Sequence, residues 1–156
     1  ARGHRSGRVV TEAEAADRVN VFDIPLLAER VLAAVRFVTT LDQTRHLPLG
    51  LCGASTGAAA ALVAAAREPR VTAIVSRGGR PDLAGRKLAA VAAPTLLIVG
   101  SEDRDVLELN RQALAQLTCE KQLAVVPGAT HLFEEPGTLE EAARLAAEWF
   151  ARHLRA

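Results

Sequence analysis

Residues 47–67 read LPLGLCGASTGAAAALVAAAR, and this stretch decides the fold class. Residues 47–52 are wholly apolar, which is typical of a strand covered on both faces of a sheet. Residues from about 57 to 67 are almost pure Ala with Leu62 and Val63, which predicts a helix small enough to press close against that sheet. The stretch is therefore interpreted as a strand that passes directly into a helix.

The same alternation continues along the chain. Further strands are predicted over residues 71–76, 94–99 and 123–126, and further helices over residues 81–91, over residues 106–117 and from residue 138 onward. An amphipathic helix over residues 25–41 precedes the first strand. Such alternation implies parallel strands joined by right-handed crossovers. The sequence predicts an α/β fold of three layers, α/β/α, with a parallel sheet of about four strands.

Residues 1–20 lack apolar periodicity and are expected to form a mobile N-terminal arm, with residues 21–156 as one domain. Two local details can also be predicted. The last helix should begin with a capping box formed by Thr138 and Glu141, and Leu139 should be on its buried side. The helix over residues 106–117 should direct four side chains inward, namely Leu109, Ala113, Leu114 and Leu117.

The composition excludes several classes of protein. The 156 residues are 49% hydrophobic and 24% charged, as in a globular domain, and 19 basic against 18 acidic side chains leave a net charge of +1. That charge is too small for the electrostatic footprint of a nucleic-acid binder. Aromatic residues make up 3%, too few for a base-stacking platform or an aromatic cage.

Membrane and metal partners are not expected either. No apolar run reaches the roughly 18–20 residues needed to span a bilayer, and the Arg-rich N-terminus lacks the apolar stretch of a signal peptide. We therefore expect a cytoplasmic chain. Cys52 and Cys119 lie in apolar segments without metal-ligand spacing and are interpreted as buried thiols, so no metal site is predicted.

Candidate reactive groups follow the strands, because ligands bind at the carboxyl ends of strands in an open parallel sheet. Residues 53–57 read GASTG, which places Ser55 on a sharp, strained turn between a strand and a helix. Both Gly53 and Gly57 are predicted to be required there, because a side chain would collide where strand and helix converge. The N–H group of Thr56 is the candidate oxyanion donor, since it opens the helix.

Two later turns supply partners for a serine nucleophile. Residues 100–106 read GSEDRDV, in which Asp103 is the preferred acid, although Glu102 and Asp105 are alternatives and Asp103 could instead cap a helix. Residues 127–133 read PGATHLF, in which His131 is the candidate base. The alternatives are an ordinary serine in a glycine turn at Ser55 and a surface loop histidine at His131.

Residues 76–82, SRGGRPD, follow the second strand. Arg77 and Arg80, with free N–H groups at the start of a helix, are candidate contacts for an anionic substrate. The alternative is a solvated glycine turn in an Arg-rich protein.

Three segments together resemble the α/β hydrolases of the dienelactone hydrolase-like kind: LCGASTGA at 51–58, PTLLIVGSED at 94–103 and PGATHLF at 127–133. The resemblance covers roughly residues 21–154. It implies a nucleophile at Ser55, an acid at Asp103 and a base at His131, acting without a cofactor on a small ester, lactone or similar acyl substrate. Dienelactone hydrolases themselves use Cys as nucleophile where this chain has Ser55, and Cys52 lies inside the strand.

The residues before Ser55 depart from the family pattern. In this superfamily about four strands usually precede the nucleophile, and a His-Gly-rich loop donates the second oxyanion N–H. Here that region holds one good helix and no convincing strand, which predicts an N-terminally truncated hydrolase with half of its oxyanion hole missing. The first strand then becomes an exposed edge, and a homodimer through that edge is expected. The alternative function is a catalytically impaired, hydrolase-like fragment that serves as an interaction or oligomerisation domain.

Overall fold

The computed structural model describes residues 22–154, so the arm predicted at residues 1–20 lies outside the described residues. Four strands form one sheet: β1 (Leu49–Ser55), β2 (Val71–Gly79), β3 (Thr95–Gly100) and β4 (Lys121–Val126). They are accompanied by four α-helices and one 3-10 segment: α1 (Ile24–Thr40), α2 (Thr56–Ala65), the 3-10 segment (Pro81–Ala90), α3 (Arg104–Gln116) and α4 (Thr138–His153). Within this range no helix is both long and apolar enough to cross a membrane.

The sheet is parallel throughout, in the order β1-β2-β3-β4. Side chains alternate across it, so Ile74 and Leu97 pack into one core cluster with residues of α1, α2, the 3-10 segment and α3. Val75 and Ile98 face the other side, where they pack with Trp149 of α4. The predicted three-layer α/β fold is therefore confirmed.

The second strand is longer than predicted. It continues past Ser76 through Arg77 and Gly78 to Gly79, so these residues form the carboxyl end of the strand and not a turn. The segment after it winds as a 3-10 helix and is interrupted at Gly85, whose φ of 54° lies in the left-handed region. The short helix predicted over residues 81–91 is therefore present, but as a 3-10 helix that is broken at Gly85.

Two further local predictions are wrong, and a third is right only in part. Gly137 occupies the N-cap position of α4 without a side-chain cap, and the Thr138 hydroxyl donates to the Glu135 carbonyl at 2.7 Å, so no capping box forms. Leu139 is exposed. The inward prediction for α3 is confirmed for Ala113 and Leu117, which are buried, and Leu114 packs against the core. Leu109 is only half-buried, and Leu107 and Asn110 are buried instead.

The first strand is an edge strand, and its residues are mostly half-buried or exposed. It is not covered on both faces as predicted. Cys52 is exposed on this strand and Cys119 is half-buried, so the prediction of two buried thiols is wrong. The pKa of the Cys52 thiol is raised, because partial burial removes water from the sulfur. The positive charge of Arg77 lowers this pKa by a smaller amount.

The two glycines that flank the β1–α2 turn differ in the space around them. A Cβ on Gly53 would lie 2.5 Å from the Gly57 carbonyl oxygen and 2.7 Å from the backbone of Ala58, whereas a Cβ on Gly57 would have no heavy atom within 4 Å. The prediction that both glycines are required is therefore right for Gly53 and wrong for Gly57.

We expect Gly53→Ala to lower the free energy of unfolding by about 1–3 kcal/mol, because the methyl group meets backbone that cannot move aside. Gly57→Ala is the matched control, since alanine is the better helix former and should leave stability equal or raise it by up to about 1 kcal/mol. Urea denaturation followed by circular dichroism measures both. Equal stability of the two variants would contradict the steric argument.

Candidate active site

Ser55 ends β1 and occupies a strained turn. Its φ of 49° and ψ of −128° lie outside the regions that L-residues usually adopt. The residue is exposed to solvent. Thr56 follows at once as the first residue of α2 and is buried. The first N–H groups of a helix have no partner within it, so the turn presents backbone donors beside Ser55.

Hydrogen bonds join the turns that follow β3 and β4. The Ser101 N–H donates to the Val126 carbonyl and the Glu102 N–H to the Ala129 carbonyl, each at 3.0 Å. The Gly128 N–H donates to the Ser101 hydroxyl oxygen at 2.8 Å. These bonds hold the acid-bearing turn against the histidine-bearing turn, although the two are far apart in sequence.

Asp103 and His131 meet across this junction. The His131 Nδ1 atom lies 2.6 Å from the Asp103 Oδ2 atom, with the aspartate side chain 13% exposed and the histidine side chain 41% exposed. A carboxylate accepts, so Nδ1 carries the hydrogen and Nε2 keeps its lone pair. This tautomer can take a proton from an alcohol.

The structure separates Asp103 from its two alternatives. Asp103 stands at the N-cap position of α3, yet its carboxylate makes no capping bond and is directed to His131. The Glu102 carboxylate accepts from the Ser101 hydroxyl at 3.1 Å, and Asp105 is exposed in the first turn of α3. Of the three acids, only Asp103 contacts the imidazole.

The end of β2 adjoins both Ser55 and His131. Gly79 is the register partner of Ser55, and the Arg80 N–H donates to the Ser55 carbonyl at 2.9 Å. A Cβ on Gly78 would lie 3.1 Å from the His131 carbonyl oxygen and 3.7 Å from its Nδ1 atom. Consecutive residues of one strand therefore adjoin the serine and the histidine, at the same end of the sheet.

Arg77 and Arg80 contact protein groups. The Arg77 guanidinium lies 5.4 Å from the ring centroid of Phe133, a buried residue with a φ of 57°. Arg80 binds both carboxylate oxygens of Asp82 at 2.8–2.9 Å, and this hydrogen bonding raises the pKa of its guanidinium. Arg77 thus joins β2 to the histidine turn, and Arg80 binds within the first turn of the 3-10 segment, roles that sequence reasoning missed.

A second feature of the histidine turn was also missed. The Glu135 carboxylate accepts from the Thr130 N–H at 3.0 Å and from the Thr130 hydroxyl at 2.6 Å, immediately before His131. The two bonds lower the pKa of Glu135. We call these two hydrogen bonds between Thr130 and Glu135 the clasp. The sequence spacing does not indicate it, because the residues lie in a loop without a repeating period.

Two cavities beside α1 lie apart from these groups. One of about 620 Å³ is bordered by α1, α2 and the 3-10 segment, and one of about 300 Å³ lies between α1 and β1. None of Ser55, Asp103 and His131 lines either cavity. Within residues 22–154 no group of three or more His, Cys, Asp or Glu side chains is placed to hold a metal ion.

The chain is similar in sequence and in fold to known hydrolases. The family model of the dienelactone hydrolase family matches residues 8–154. A dienelactone hydrolase of Anabaena variabilis is 52% identical, with a TM-score of 0.87, and the match covers 94% of this chain and 70% of that one. The esterase domain of a Rhodothermus marinus protein is 19% identical, with a TM-score of 0.71 over 82% of this chain and 69% of that one, and shares the fold.

A curated protein of Mycobacterium tuberculosis strain H37Rv, which carries the provisional name phosphoribosyl transferase, is 60% identical over 148 residues. The match covers 94% of this chain and 33% of that protein. The chain therefore spans about a third of the length of the curated relatives it matches.

The clasp beside His131 should depend on pH. Because hydrogen bonds to the charged carboxylate depress the pKa of Glu135, the clasp is intact above the ordinary value of 4.5 and is lost as the pH falls through the lowered pKa. We expect the Thr130 amide resonance to move in that acid range in a ¹H–¹⁵N NMR titration. Glu135→Gln should abolish the transition and Glu134→Gln should keep it, whereas an unchanged transition in Glu135→Gln would contradict the assignment.

Proposed function

Because the chain belongs to the dienelactone hydrolase family, we propose that it hydrolyses small esters, lactones or similar acyl substrates through Ser55, His131 and Asp103. The observation that carries the proposal is the 2.6 Å contact between His131 Nδ1 and Asp103 Oδ2, beside the strand end that pairs with Ser55. A carboxylate that fixes the imidazole, next to a serine on a strained turn, is the arrangement that general-base activation of a hydroxyl requires.

Each group has a defined part in the reaction. The His131 Nε2 atom takes the proton of the Ser55 hydroxyl as its oxygen bonds to the acyl carbon, and Asp103 stabilises the imidazolium that results. This attack gives a tetrahedral intermediate. It collapses to an acyl-serine when the bond between the acyl carbon and the oxygen of the leaving group breaks, and that oxygen takes the proton from Nε2. Water, deprotonated in turn by His131, then cleaves the acyl-serine bond and regenerates the Ser55 hydroxyl.

Thr56 is proposed as an oxyanion donor. Its N–H opens α2, where the helix dipole favours negative charge. Because loss of one such donor typically lowers kcat about 10²- to 10³-fold, steady-state turnover is a weak test of this site. Covalent labelling of Ser55 requires a single reaction and is therefore the more direct test.

The proposal assigns the nucleophile to Ser55 and not to Cys52. Cys52 lies within β1, and the raised pKa of its thiol leaves less of the reactive thiolate at neutral pH. Cys52→Ser should therefore leave labelling at Ser55 intact.

Arg77 and Arg80 are proposed to act at the substrate's anionic groups. Arg77 is the stronger candidate, since its guanidinium contacts the Phe133 ring and adjoins the histidine turn, whereas two donors of Arg80 are occupied by Asp82. We assign no phosphoribosyl transfer to this chain, because about two thirds of the relative that carries that name lies outside the match.

We expect a fluorophosphonate probe to label the folded chain at Ser55 and to leave Ser55→Ala unlabelled. Asp103→Asn should slow labelling by up to about 10⁴-fold, the loss expected when the acid of a triad becomes its amide. Asp105→Asn is the matched control, because that carboxylate does not contact His131, and it should label like wild type. Absence of labelling in wild-type chain that is folded by circular dichroism would refute the enzyme proposal.

The alternative proposal is an interaction domain that pairs with a second copy through β1. The edge of β1 adjoins the cavity of about 300 Å³, whose lining includes Val31, Leu49 and Leu51. At the opposite edge of the sheet, β4 begins with exposed Lys121 and Gln122. An apolar strand edge favours pairing with another chain, and a charged one opposes it.

We expect a dimer in analytical ultracentrifugation at micromolar concentration. Cys52→Lys should dissociate it by placing a charge on the β1 edge, while Val125→Lys on β4 serves as the control and should remain dimeric. A monomeric wild-type chain, or equal dissociation by both variants, would reject pairing through β1.

A further inference from the structure

Asn110 is a buried amide on the inner face of α3, with 0% of its surface exposed. Its Nδ2 atom donates to the Val106 carbonyl at 2.8 Å and to the Gly79 carbonyl at 3.0 Å. The first bond lies within the helix, but the second crosses to the end of β2. A buried polar side chain is costly unless it is hydrogen-bonded, so both donors have structural consequences.

The Gly79 carbonyl shares one peptide group with the Arg80 N–H. That N–H donates to the Ser55 carbonyl at 2.9 Å, so the two ends of a single planar unit bond Asn110 and Ser55. A donor at the carbonyl end also polarises the group and strengthens the bond made by its N–H. Asn110 is thereby coupled to the main chain of Ser55.

The coupling peptide is also confined sterically. A Cβ on Gly79 would lie 2.0 Å from the Ser76 Oγ atom and 2.5 Å from the Ala58 Cβ atom. Ser76 is fully buried on β2, and Ala58 lies in the first turn of α2. The peptide therefore has little room to shift unless its hydrogen bonds change.

Helix α3 also carries the other half of the site. Asp103 stands at its N-cap position and contacts His131, and Asn110 lies about 10 Å further along the helix axis. We propose that Asn110 is a positioning residue, which fixes the main chain of Ser55 relative to the Asp103–His131 pair through the peptide between Gly79 and Arg80. This inference rests on the proposed hydrolase function.

Two variants remove the contact in different ways. Asn110→Leu has a similar volume and donates no hydrogen bond. Asn110→Ser is the second variant, because a serine hydroxyl in a helix can still bond to the carbonyl of Val106 but is too short to reach Gly79. Thr95→Val is the matched control, since it removes another buried side-chain bond, to Ala93 at 3.0 Å, without touching Ser55.

The kinetic readout is the rate of fluorophosphonate labelling, together with kcat and KM for p-nitrophenyl acetate. At temperatures where all chains are folded, we expect both Asn110 variants to lower kcat and labelling by about 10- to 100-fold with KM nearly unchanged. Thr95→Val should keep the wild-type rates. Wild-type rates in Asn110→Ser, or an equal loss in Thr95→Val, would overturn the proposal.

A second readout does not depend on activity. The Arg80 amide proton should shift upfield in both Asn110 variants, because its hydrogen bond to Ser55 loses the polarising donor, and should stay in place in Thr95→Val. If wild type does not react with the probe, the hydrolase function fails while this NMR shift still tests the coupling. An unmoved Arg80 resonance in the Asn110 variants would refute the positioning role whatever the activity.

Discussion

The N–H group of Arg80 donates to the Ser55 carbonyl at 2.9 Å, directly after a break in the register between β1 and β2. Ala54 pairs with Arg77 and Ser55 pairs with Gly79, so one residue of β2 is left over between them. That residue is Gly78, whose φ of 51° and lack of a side chain let the strand pass close to His131. A bulge of this kind redirects the strand locally, and here it lets consecutive residues of β2 adjoin the serine turn and the histidine turn.

The strand and helix alternation could be predicted because apolar runs and helical periodicity reflect burial, which dominates folding. The end of β2 could not, since Gly78 and Gly79 have low strand propensity and Gly79 is held in the sheet by its pairing with Ser55 on β1. The capping box failed for another reason: Gly137 takes the N-cap position, so Thr138 lies one residue inside the helix, where its hydroxyl donates to the Glu135 carbonyl. A tertiary contact overrode local propensity at the end of β2, whereas at Thr138 a bond within the same turn did so.

The candidate site was predictable as residue types at strand ends, but not as contacts. Sequence spacing cannot choose among Glu102, Asp103 and Asp105, because the choice depends on how the turn after β3 is bonded to the turn after β4. Asn110 offered one usable signal: it lies three residues from both Leu107 and Ala113 on the buried face of α3. A polar residue at such a position requires a partner, although the sequence cannot name Gly79 as that partner.

Holding Ser55 at a φ of 49° costs on the order of 1–3 kcal/mol, and the surrounding fold must offset that strain. The hydrogen bond from Arg80 fixes the Ser55 carbonyl, and Thr56, which follows that carbonyl, is fixed in the first turn of α2. Gly53 lets α2 approach β1 closely enough for the turn to close, since any Cβ there would meet the backbone of Ala58. The strain can persist because the turn, the end of β2 and the start of α2 are fixed by contacts that do not involve the Ser55 side chain. That side chain is therefore left exposed and free of any structural role in holding the turn.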